Sequence, residues 1–133
     1  GLNVRADCAD IRAVELPPQS CDLVVASTVL GHLETPDLRA VAGKVMRALR
    51  HGGLLLVEEF SADDPGRRGD PDASEFAALV RHWFAPDELG GLFAPLEELS
   101  CSRSNVTDRS HGAVHRHSLL RYAARRNGAP VGP

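Results

Sequence analysis

The sequence predicts an α/β fold, a mostly parallel sheet that finishes in a C-terminal antiparallel hairpin. Two short apolar runs, Leu23–Ala26 and Leu54–Val57, flank one strongly amphipathic stretch. Continuous apolar runs of this length suit strands covered on both faces, and a helix between them makes a right-handed βαβ unit. Further on, Leu96–Val106 and Ala113–Ala124 alternate like strands around a polar turn at Asp108–Gly112, the spacing of a hairpin.

Each element has its own local cause. Leu2–Ala6 leans toward strand through Val4, and Leu16-Pro17-Pro18 forbids regular structure after it. Cys21–Leu30 holds the first buried strand. Thr35 is a helix cap, Pro36 suits the first helical position and Asp37 complements the helix dipole. Leu38, Val41, Val45 and Leu49 recur at helical spacing until Gly52-Gly53 ends the helix. The second strand closes on Glu58-Glu59-Phe60. Ser61–Ser74 is polar and rich in Gly, Pro and Asp, which predicts a mobile loop able to act as a lid. Phe76, Leu79, Val80 and Trp83 share a face if Glu75–Phe84 is helical, and Pro86-Asp87-Glu88-Leu89 opens another short helix. Residues 1–126 form the expected domain and 127–133 a flexible tail.

Composition bounds the function. A chain of 133 residues, 43% hydrophobic and 25% charged, is one globular domain at most. A net charge of −3 gives no field that draws nucleic acid or an anionic membrane. No apolar run reaches the ~18 residues of a membrane-spanning helix, and no signal segment opens the chain. Cys8, Cys21 and Cys101 are odd in number without a CxxC pair, which points to reduced, mostly buried thiols of a cytoplasmic protein. Arg116, Arg121, Arg125 and Arg126 read as a solvated strand edge rather than an anion site. The chain begins at Gly1 rather than Met, the mark of a processed, tagged or fragmentary sequence.

The order of pieces resembles a known family. Asp10-Ile11, Leu16-Pro17, Asp22-Leu23-Val24, Ser27-Thr28-Val29-Leu30, His32-Leu33, Gly52-Gly53 and Leu54–Phe60 follow one another at matching spacing. Together they resemble the C-terminal portion of a class I S-adenosylmethionine-dependent methyltransferase. Trp83–Leu89, His111-Gly112 and His115-Arg116-His117 are similar to the tellurite-resistance and thiopurine-like branch. His51 stands where the family usually has Pro. The Gly-rich loop and the ribose-binding acid of the family have no counterpart here, since no Gly-x-Gly occurs. The resemblance therefore implies a truncated, partial Rossmann-like domain whose third strand begins at Leu2–Ala6.

It also implies a cofactor, S-adenosylmethionine, expected for the complete domain. Asp10 is placed to accept a hydrogen bond from the adenine amine, with the Ile11 amide near a ring nitrogen. Ser27 and Thr28 end a parallel strand where open α/β sheets bind ligands. Glu59 and His32 are the candidate catalytic bases, although either residue also suits a purely structural place. The expected partner is a small-molecule methyl acceptor. The alternative is an inactive methyltransferase remnant that serves as an interaction module. A histidine-based metal domain is the third reading, because His115 and His117 would share one face of a strand. No Cys or carboxylate stands at clear ligand spacing beside them, so no metal is expected. With the family's first two strands missing, Leu2–Ala6 is expected to pair with Leu23–Ala26, or the chain to self-associate or recruit a complementing N-terminal segment.

Overall fold

The computed structural model describes residues 1–128; the last five residues of the proposed tail lie outside them. One face of a single helix sets the architecture. Helix α1 (Thr35–Ala48) buries Leu38, Val41, Ala42 and Val45, the helical-period residues, against a four-stranded sheet. The strands are β1 (Cys21–Ser27), β2 (Leu49–Phe60), β3 (Glu97–Asp108) and β4 (His115–Arg125), in spatial order β1-β2-β4-β3. β1 and β2 are parallel, as the crossover through α1 requires, whereas β4 runs antiparallel to both β2 and β3. Two short helices, α2 (Pro65–Arg68) and α3 (Glu88–Leu92), lie in the connection between β2 and β3.

Alternation along the central strands divides the sheet into two unlike faces. Leu55 pairs with Ala124, Val57 with Tyr122 and Glu59 with Leu120, and all six are buried on one side. Burying each large apolar side chain there contributes about 1.5–3 kcal/mol. On the other side Leu23, Val25 and Leu56 stay 51%, 62% and 41% exposed. The apolar runs thus mark the strands correctly, yet only one of their faces is covered.

Several expectations need correction. Helix α1 has Glu34 at its cap with no side-chain cap bond, and it ends at Ala48, before the glycines. Gly52 instead takes φ 79° inside the longer β2, a left-handed backbone that a β-carbon would strain. Glu75–Phe84 is not a helix. Only Ala77–Leu79 makes a 3-10 turn, and the chain then extends so that Ser61 bridges Phe84. Phe84 is fully buried while Phe76 and Leu79 stay exposed, so tertiary pairing with the end of β2 overrides the helical period.

The cysteines are unpaired but not buried: Cys8 and Cys101 are exposed and Cys21 half-buried. Cys8 lies in the exposed first ten residues and Cys101 on strand β3, whose first seven residues are exposed. Residues 1–20 contain no strand, Leu2 and Val4 are exposed, and among the described residues β1 pairs with β2 alone. The expected pairing of Leu2–Ala6 with Leu23–Ala26 therefore does not form. Lys44 on α1 donates to the carbonyls of Ile11, Arg12 and Val14, and Gln19 and Ser20 bond to Arg47 and Ala48. These bonds fix the segment to the helix rather than beside β1.

Candidate functional site

The end of β1 is strained. Thr28 donates its amide to the Glu58 carbonyl at 2.7 Å and takes φ 51°. A β-branched residue in the left-handed region costs on the order of 1–3 kcal/mol, and such strain concentrates at functional sites. The chain then winds into a 3-10 turn, Leu30–His32. Glu59, at the adjoining end of β2, holds that turn. It is fully buried and accepts the amides of Leu30 at 2.7 Å and Gly31 at 3.1 Å, one on each oxygen. Burial pushes its carboxyl up to about 7, against the opposing pull of those amides. A β-carbon at Gly31 would come within 2.9 Å of the Glu59 carboxylate and 3.0 Å of the His82 carbonyl, so only glycine fits.

His32 projects from the same turn and is exposed. Its Nδ1 lies 3.1 Å from the Leu79 carbonyl. A carbonyl can only accept, so Nδ1 carries a proton, and in the neutral ring Nε2 is the nitrogen with the lone pair. Thr28 and His32 line a cavity of about 150 Å³ whose other walls include Phe60, Trp83, Asp64 and His117. The cavity lies beyond the carboxyl ends of the parallel strands, where open α/β sheets take their ligands.

The third wall is built from the segment after β2, and it departs from the expected unpacked loop. Ser61 and Asp64 are 1% exposed. Asp64 caps α2 by accepting the Gly66 amide at 2.8 Å, accepts the Ser118 amide at 2.8 Å, and meets His117 Nδ1 at 3.2 Å. Ser61 donates its hydroxyl to that of Ser118 at 2.7 Å. The segment therefore packs through polar groups, which apolar periodicity does not reveal.

Residues 1–53 match the family described as Methyltransferase domain. The chain is 30% identical over 105 residues to polyketide synthase ThaG of Burkholderia thailandensis, covering 78% of this chain and 2% of that protein. The fold agrees. TehB from Haemophilus influenzae superposes with a TM-score of 0.70 at 18% identity over 95% of this chain. Its first 53 residues thus resemble a methyltransferase domain, and the chain has a methyltransferase-like fold. A second structure, the B. thailandensis 1,6-didemethyltoxoflavin-N1-methyltransferase with bound S-adenosylhomocysteine, superposes with a TM-score of 0.62 at 17% identity over 90% of this chain. The chain spans 42% of the first structure and 49% of the second.

Within this chain the sequence-derived candidates fall into two groups. Thr28, His32 and Glu59 meet at the ends of β1 and β2. Ser27, the last residue of β1, lines a different hollow on the open sheet face with Val25 and Arg121. Asp10 and Ile11 open a turn closed by the amides of Ala13 and Val14 on the Asp10 carbonyl. The Asp10 carboxylate is exposed and gripped by the Arg12 side chain and amide, which hold its carboxyl near 2. Ile11 is half-buried against the core. Sequence reasoning missed Asp64, whose partners stand more than fifty residues away on β4. Its position before Pro65, a cap followed by a first-turn proline, was the available signal. Among the described residues no helix is long and apolar enough to cross a membrane.

Proposed function

We propose that this chain forms the adenine side and the acceptor side of an S-adenosylmethionine-dependent methyl transfer to a small molecule. The observation that carries the reading is the cavity at the ends of β1 and β2, bounded by the strained Thr28 and by a histidine with a free nitrogen. The residues fit the cofactor. The exposed Asp10 carboxylate suits an adenine amine, the Ile11 amide a ring nitrogen, and the backbone at Ser27 and Thr28 the neighbourhood of the sulfonium. When bound, the cofactor supplies an activated methyl group. The chain's own residues orient the acceptor and exclude water, which is most of what an in-line displacement needs.

His32 is the residue suited to remove the acceptor's proton. Its Nδ1–H is fixed on Leu79, so Nε2 serves as base. Glu59 acts through the backbone: both its oxygens are occupied by the turn that presents His32, so it is a positioning residue.

The test is titration of S-adenosylhomocysteine into the parent protein by calorimetry. Asp10→Ala is expected to weaken binding about 10–100-fold, the loss of one charge-assisted hydrogen bond. His32→Ala is expected to leave binding intact and to lower turnover about 10²–10⁴-fold with any acceptor that must lose a proton. A parent protein that binds neither S-adenosylhomocysteine nor S-adenosylmethionine overturns the reading.

A further inference from the structure

We propose that Asp108, His115 and His117 form a binding site for a divalent transition-metal ion. The hairpin register brings them together. Asp108 on β3 is the direct partner of His115 on β4, and His117 follows two residues later on the same face. One donor atom from each of the three lies within 4.8 Å of the others. The carboxylate that sequence spacing lacked therefore arrives from across the hairpin.

The hydrogen bonds decide which atoms point inward. His115 is 4% exposed, and its Nδ1 lies 2.7 Å from the Ala113 carbonyl, an acceptor only. His117 is 9% exposed, and its Nδ1 faces Asp64, which also accepts two backbone amides. Both Nδ1 atoms thus carry protons, and both Nε2 atoms carry lone pairs. Those two Nε2 atoms face each other at 3.0 Å. Two buried lone pairs at that distance repel unless a cation or a proton joins them.

The surroundings favour a metal ion. Donors on a tetrahedral zinc-like ion, each about 2.0–2.1 Å from it, stand roughly 3.3 Å apart. The Nε2 pair is close to that spacing, and Asp108 Oδ2 is 3.7 Å from His115 Nε2. Each imidazole is held from behind by a carbonyl or a carboxylate, the outer-shell support that orients metal-binding histidines. Asp108 is itself fixed by the amide and hydroxyl of Ser110, which both donate to its Oδ1. Two imidazoles and a carboxylate select zinc, cobalt, nickel or iron over magnesium or calcium. Three protein ligands leave a further position, and His117 borders the cavity. On the methyl-transfer reading, that position takes an acceptor oxygen; the metal site itself stands without it.

Cobalt(II) titrated into the 133-residue chain, purified without a histidine tag, tests the site through visible absorption. One equivalent is expected to bind with the intense bands of a four- or five-coordinate ion. Asp108→Asn, on the partly exposed end of the hairpin, keeps the fold and is expected to weaken binding at least about tenfold. Asp64→Asn should weaken it about 10–100-fold by releasing the His117 tautomer. His115→Ala should abolish it, and circular dichroism checks that this variant folds. Absence of a bound equivalent in the folded chain means that the two imidazoles share a proton, and overturns the site. So does cobalt binding that Asp108→Asn and His115→Ala leave unchanged. Neither outcome touches S-adenosylhomocysteine affinity, so this site and the methyl-transfer reading fail separately.

Discussion

The two halves of the sheet are stabilised by different physics. In α1 and the body of β2 the buried groups are apolar: Leu38, Val41, Val45, Leu55 and Val57. At the end of β2 and along β4 the buried set includes Glu59, Ser61, Asp64, His115, His117 and Ser118. Apolar burial is non-directional, so damage there scales with the volume removed. Polar burial is conditional, because each group is tolerated only while its partners are in place. The second half is accordingly where single atoms matter, and it is the half that walls the cavity.

Asp64→Ala offers the strongest contrast. It orphans the Gly66 and Ser118 amides and frees the His117 ring at once. We expect a loss of about 3–5 kcal/mol in urea unfolding, the scale of a broken buried charged network. Leu55→Ala, fully buried in the apolar half, should lose about 2–5 kcal/mol by cavity formation alone. The distinguishing variant is Asp64→Asn, which keeps the volume and yet should still cost more than 1 kcal/mol. If Asp64→Asn is silent, the polar half is held by shape, and the contrast breaks.

The same contrast explains what was legible in the sequence. α1 was readable because its burial follows from residues three and four apart, and β1 and β2 because apolar runs mark strands. Asp64 was not, since its role depends on Ser118 and His117, which register alone brings near. The carboxylate completing the histidine pair was hidden for the same reason: Asp108 and His115 meet only once the hairpin pairs. Phe76, Leu79 and Trp83 carried a true helical period that lost to the bridge between Ser61 and Phe84. Thr28 and His32 were legible as site residues from the family resemblance, while the strain at Thr28 belongs to the fold.

Glu59 sits where the halves meet and should show itself in pH dependence. Its carboxyl is raised from 4.5 to about 7 by burial. A raised folded-state value means that the native state holds the proton more tightly than the unfolded one. Its contribution is therefore fully present below about pH 4.5 and declines until about pH 7. The decline is at most about 1.4 kcal/mol per pH unit. Glu59→Gln cannot titrate, so its stability relative to the parent chain should improve across that window, whatever the amide costs by facing one backbone N–H. Urea unfolding at pH 5 and pH 7.5 checks this. Parallel pH profiles for the two chains would mean that the turn amides, rather than burial, govern the carboxyl.

The smallest expected effect tests whether any polar group of the second half is dispensable. Tyr122 lies on β4, 2% exposed, with its ring stacked 5.9 Å from that of Phe93. Its hydroxyl is buried, and it has no hydrogen-bond partner among the described residues. Burial pushes the hydroxyl's ionisation up, with Glu98 and Cys101 adding to it. The ring supplies packing and the oxygen supplies a desolvation cost that nothing offsets, so removing only the oxygen should cost nothing. Tyr122→Phe keeps the ring, its contact with Phe93 and nearly all the volume. We expect it to be neutral or to stabilise the fold by up to about 1 kcal/mol, the opposite sign to Asp64→Ala. Urea midpoints at unchanged m-value measure it. A loss of more than about 1 kcal/mol would mean that the hydroxyl is bonded in solution, and that every buried polar group of this half is part of one satisfied network.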